Sequence, residues 1–138
     1  MPFKEKLVMS LSGFPAFILY FITAMALLGI FIYIYTRLTP YREFALIGSG
    51  NSAAAYSFGG AVLGFSFPLS SAIMHSVSLT DMVIWALISF VIKFSVYLFV
   101  RVLFPTIASD INSDQVSKGI FLGVLSIAVG IINAACMS

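Results

Sequence analysis

Six residues recur at intervals of four along one stretch of the chain: Asp81, Trp85, Ser89, Lys93, Tyr97 and Arg101. That interval lies close to the helical period of 3.6 residues, so the six side chains form one slowly winding stripe on an otherwise apolar helix. Trp85, Tyr97 and Arg101 lie towards its ends, where amphipathic side chains anchor a helix at the membrane–water boundary. Lys93 is placed differently. It sits more than ten residues beyond Asp81, roughly 15 Å along a helix. A lysine at the centre of a bilayer costs about 2.5–3.5 kcal/mol to insert and faces protein or water rather than lipid.

The chemistry open to Lys93 is bounded by what surrounds it. Glu43, Asp81, Asp110 and Asp114 all fall at the ends of apolar runs, so no carboxylate lies at mid-depth to neutralise the ammonium. It must find carbonyls, hydroxyls or water, meet an incoming anion, or lose its proton. Pro68 offers one partner, because proline has no N–H and leaves the carbonyl of Gly64 unpaired. Thr23 and Ser126 fall near the same depth, and Asn133 puts an amide inside another apolar run. Lys93, Ser89, Tyr97, Thr23, Ser126 and Asn133 are therefore the expected polar belt or pathway. The competing role for Lys93 is a satisfied structural lysine.

The elements that must position these residues follow from the uncharged runs. The 138 residues are 61% hydrophobic and 9% charged, against about a quarter charged in soluble domains. About 20 apolar residues cross a bilayer as helix. Four spans are expected, near Phe14–Thr36, Ser52–His75, Met82–Leu103 and Gln115–Met137. Lys4 and Lys6 resemble the start of a signal peptide, but the apolar run after them is too long, so a retained helix is expected. The residues before Gly13 are expected to form a short interfacial helix.

The chain also repeats. Ala53, Ser57 and Gly64 are spaced as Gly119, Gly123 and Gly130 are, 66 residues later, and each set follows a loop bearing Pro40 or Pro105. One membrane domain over 1–138 is expected, with repeat one at about 14–75 and repeat two at about 82–138. Two helices per repeat return the chain to its starting side, so the two hairpins should run in the same orientation. Small residues at helical spacing let backbones approach in lipid. Ser57, Gly60, Gly64, Pro68, Gly119, Gly123 and Gly130 are the expected packing positions, and a narrow pathway along them is the alternative. The fourteen phenylalanines are expected to be lipid-facing bulk.

Several functions are excluded. A net charge of +2 is too small for nucleic-acid binding. One cysteine, Cys136, allows no internal disulfide. His75 stands alone at a helix end, so no metal site is expected. Gly48-Ser49-Gly50-Asn51 lacks the ending of a phosphate loop; Asn51 reads instead as a helix N-cap. No catalytic set is visible, so no enzyme and no cofactor are expected. Proton-coupled export of the small multidrug type needs a membrane-embedded carboxylate, which is missing. Positive charges flanking the Pro loops (Arg37, Arg42, Arg101 and Lys118) outnumber those on the other side (Lys4 and Lys6), which places those loops in the cytoplasm and both termini outside.

Thr39-Pro40, Asn51-Ser52-Ala53-Ala54-Ala55, Gly64-Phe65-Ser66-Phe67-Pro68-Leu69-Ser70-Ser71-Ala72 and Asn133-Ala134-Ala135-Cys136-Met137 resemble the YjfL-like inner-membrane proteins, the family of domain of unknown function 350. The resemblance covers nearly the whole chain. It implies a duplicated two-helix unit in a bacterial inner membrane, and no established activity. Lys93 departs from the neutral polar residue expected at its position. The residues point to an oligomeric channel or transporter-like protein for a small solute or ion, because four helices enclose little space alone. The alternative is a scaffold packed against a partner membrane protein.

Overall fold

The computed structural model describes residues 2–137. Their helices are α1 (Pro2–Leu11), α2 (Phe14–Leu38), α3 (Glu43–Gly48), α4 (Ser52–His75), α5 (Leu79–Leu103), α6 (Ile107–Asn112) and α7 (Val116–Cys136). The long helices α2, α4, α5 and α7 are apolar enough to cross a membrane. The protein is an all-α integral membrane protein with four transmembrane helices. Their starts are set by local chemistry. Pro15 opens α2, where its missing N–H costs nothing. Asn51 accepts from the amide of Ala54 at 2.8 Å, and Ser78 accepts from that of Asp81 at 3.1 Å; each satisfies an otherwise orphaned first-turn donor. The Pro loops contain the six-residue helices α3 and α6.

Helices α4 and α7 run parallel and touch backbone to backbone. Ala53 meets Gly119, Gly60 meets Gly123, Gly64 meets Ser126 and Gly130, and the Ser71 hydroxyl donates to the Ala134 carbonyl at 2.9 Å. A side chain on Gly60, Gly64, Gly119, Gly123 or Gly130 would fall on the opposing backbone. Without water to drive helices together, such close contact is how they associate in lipid. Ser57 and Pro68 are buried along the same helix, so all seven expected packing positions are interior. The Gly64 carbonyl freed by Pro68 packs on Gly130 of α7.

Helix α5 lies along one side of this pair, and α2 lies outside, against α4 and α5. The expectation that the phenylalanines are lipid-facing is corrected here. Phe31, Phe65 and Phe90 are buried, and Phe31 stacks on Phe65 with ring centroids 4.4 Å apart, Phe65 on Phe90 at 4.9 Å. This stack ties α2, α4 and α5 together, because ring faces offer large contact area where small residues cannot. Phe17, Phe21, Phe99 and Phe121 do face outward, as a lipid surface requires. Every residue of α1 is exposed.

Candidate functional site

The stripe on α5 faces inward. Ser89, Lys93 and Tyr97 are buried, with Lys93 only 2% exposed. The Lys93 ammonium donates to the carbonyl of Ser126 on α7 and lies against Gly64 of α4, where a Cβ would collide with it. The expected acceptor, Gly64, is thus replaced by Ser126, because α7 rather than the ammonium covers the carbonyl that Pro68 frees. One turn away, Ser89 donates to the Trp85 carbonyl at 2.9 Å and to the Met137 sulfur at 3.6 Å. Asn133 is buried on α7, and its side-chain Nδ2 finds no hydrogen-bond partner in the protein. Trp85 is exposed, as an anchor should be. Thr23 does not join this column. It is partly exposed and donates to Leu19 of its own helix at 2.8 Å, since a threonine on the outermost helix satisfies itself most cheaply.

A second polar cluster, which the sequence reading missed, lies at the Pro-loop end of the bundle. Glu43, the first residue of α3, is 1% exposed. Its Oε1 accepts from the Thr39 hydroxyl, while Oε2 has no hydrogen-bond partner in the protein. Tyr35 of α2, Tyr41 of the loop and Tyr97 of α5 are buried around it. All three lie within electrostatic reach of Glu43, and Ser57 of α4 is beside Tyr41. The Tyr35 and Tyr97 hydroxyls have no hydrogen-bond partner in the protein, and that of Tyr41 has only the Ser57 hydroxyl within reach, too far or too oblique for a well-formed bond. Burial raises the pKa of Glu43 and that of Tyr41, because each charged form is desolvated. For Glu43 the Thr39 hydrogen bond opposes this. Among the described residues no lysine or arginine pairs with Glu43; the one ion pair joins Lys118 to Asp110, 2.5 Å apart.

The two loops are also joined to each other. Asn51 Nδ2 donates to the Ile111 carbonyl at 2.8 Å, and Asp114 Oδ1 accepts from the amide of Ala53 at 2.9 Å. No group of His, Cys, Asp and Glu able to hold a metal ion occurs among the described residues.

Residues 9–137 match the model of a family described as Domain of Unknown Function (DUF350). The chain belongs to the DUF350 family. It is 39% identical over 128 residues to the UPF0719 inner membrane protein YjfL of Escherichia coli strain K12, covering 93% of this chain and 97% of that protein. It is 28% identical over 118 residues to the UPF0719 transmembrane protein YshE of Bacillus subtilis strain 168, covering 84% and 88%. No solved structure matches it. For this DUF350 protein the resemblance read from its motifs is thereby borne out, and the family's description attaches no activity to the column or to the cluster.

Proposed function

We propose that the protein is an oligomeric inner-membrane channel or transporter for a small ion, with Ser89, Lys93 and Tyr97 of α5 as its polar element. One observation carries this reading. A row of polar side chains placed every fourth residue turns into the protein, with Lys93 on the Ser126 carbonyl, instead of lying at the membrane boundary. Intramembrane ionisable residues mark ion and proton paths more often than they stabilise a fold.

Lys93 itself is closely packed, so an open path belongs between subunits. The register supports this, and with it a tandem duplication. Ala53 faces Gly119 and Gly64 faces Gly130, each pair 66 apart, the spacing of the repeat. Lengths also recur: 25, 6 and 24 residues for α2, α3 and α4, then 25, 6 and 21 for α5, α6 and α7. On one side of the α4–α7 seam, α5 packs on α4 through Phe90 and Phe65. The other side is an open apolar groove of about 230 Å³, lined by Tyr56, Gly59, Leu63, Val124 and Ile127 among others. A second copy of the chain is the occupant that restores there what α5 supplies on its own side. The Pro loops then lie in the cytoplasm and the termini outside, on the bias of positive charge.

The test is ion flux in proteoliposomes of the wild type and Lys93→Met, beside thermal unfolding of both. Lost or altered flux with intact assembly supports the reading; unchanged flux with unchanged assembly removes Lys93 from it. Cysteines at Leu63 and Ile127 should cross-link between copies. Failure to cross-link, with capture of another membrane protein in the groove, would favour a scaffold instead.

A further inference from the structure

Glu43 raises a question that the column does not answer: a carboxylate only 1% exposed has no lysine or arginine beside it. Isolated charges are not left in an apolar interior; they are neutralised by a proton or a counter-ion. Around it are Glu43 Oε2 and the hydroxyls of Tyr35 and Tyr97, without hydrogen-bond partners in the protein, and the hydroxyl of Tyr41, which has only Ser57 beside it. They come from α2, the loop after it, α3 and α5; the Tyr35 and Tyr97 rings are 6.2 Å apart, and all three phenols lie within electrostatic reach of Glu43. The Thr39 hydroxyl already holds the other carboxylate oxygen.

The second Pro loop indicates what belongs there. Thr106 donates to Asp110 Oδ2 at 3.0 Å, as Thr39 does to Glu43, four residues apart in both loops. At Asp110 the same oxygen also takes the ammonium of Lys118, at 2.5 Å. The acid of the second loop thus has a cation supplied by α7, whereas the acid of the first has none: Arg101 acts on Tyr97 but forms no ion pair with Glu43.

From this geometry we infer that Glu43, Tyr35, Tyr41 and Tyr97 form a binding site for one alkali cation, sodium or potassium. Oxygen-only ligation suits a hard cation. A single carboxylate matches a single positive charge, whereas a divalent ion would leave an excess charge buried. A proton competes for the same carboxylate. The site is independent of the transport reading, since binding needs no flux.

The experiment is thermal unfolding of the full-length purified protein in sodium, potassium or choline chloride at constant ionic strength and alkaline pH. The midpoint should climb with sodium or potassium and saturate, and the better ligand of the two is identified by its lower half-saturating concentration. In choline it should stay low. Glu43→Gln should unfold at one temperature in all three salts. Tyr97→Phe keeps the charge and removes one oxygen, so it should raise the half-saturating concentration about tenfold, the weight of one ordinary polar contact. It also serves if Glu43→Gln fails to fold. A wild type indifferent to the cation, as bridging water alone would give, overturns the site. So does cation dependence that survives in Glu43→Gln or is untouched in Tyr97→Phe.

Discussion

In the loop after α2, Thr39 donates to Glu43; in the loop after α5, Thr106 donates to Asp110 at the same interval. Both acids belong to six-residue helices that precede a seam helix. Each connection then turns through one left-handed residue, Gly50 at φ 91° and Asp114 at φ 61°. The surroundings differ. Asp110 bonds to Lys118, which holds its carboxyl below the usual carboxylate range, whereas Glu43 has only a hydroxyl and is pushed above it by burial. One backbone plan therefore supports a neutralised acid and an uncompensated one. The difference lies in side chains that the backbone does not dictate, which is where two loops of similar course are free to differ in what they hold.

The comparison depends first on the seam that brings the two loops together. Gly130→Leu would drive a branched side chain into the Gly64 carbonyl, and a backbone cannot move aside as a side chain can. Loss of folded protein is expected, read by size-exclusion chromatography in detergent, whereas Leu19→Phe, at an exposed position, should fold normally. Equal behaviour of the two variants would mean that the loops are held by something else.

Next in size is Lys118→Met, which leaves Asp110 in the position that Glu43 occupies. It should lower the unfolding temperature and make the second loop sensitive to alkali cations, as the first is expected to be. A variant as stable as the wild type in choline would break the parallel between the loops.

Their pH responses should have opposite signs. Glu43 has a raised pKa, so its contribution is full below the unfolded carboxylate value and lost as pH rises through the folded one. Asp110 has a lowered pKa, so its contribution is present above the unfolded value and lost as pH falls through the folded one. In choline, Glu43→Gln should flatten the loss on the alkaline side and stabilise the protein there by about 1–2 kcal/mol. Asp110→Asn should flatten the acid side. Stability-against-pH curves that change identically in both variants would refute the assignment.

The smallest effects concern the turns. Gly50→Ala places a Cβ in the left-handed region and should cost about 1–2 kcal/mol. Asp114→Gly relieves that strain but loses the bond to the Ala53 amide, so the net change should stay under about 1 kcal/mol. Denaturant titration of both variants checks the order.

The spans and the seam were legible because each is written as a period. Uncharged runs of twenty residues mean helices, and small residues repeated with the same spacing meant contact. Lys93 was legible because a charge in such a run stands out. The Glu43 cluster was not, because Tyr35, Tyr41, Glu43 and Tyr97 come from separate elements with no shared spacing, and Glu43 looked like an ordinary acid at a span end. One signal was present: Thr39 with Glu43 and Thr106 with Asp110 repeat the same interval in both Pro loops. Thr23 misled because equal depth does not imply a shared face, and the face of α2 is decided by the aromatic stack.

The parallel seam also bears on how the protein is made. Helix α4 is synthesised long before α7, and α5 and α6 intervene. Until α7 enters the bilayer, the glycines of α4 face lipid with nothing to grip, and Lys93 lacks the Ser126 carbonyl that accepts its hydrogen bond. Helix α7 supplies both at once. Insertion of α7 is thus the step that turns a set of loosely associated spans into a closed fold, and contacts between segments so far apart in sequence form late. A chain stalled before α7 should be a ready substrate for membrane quality control.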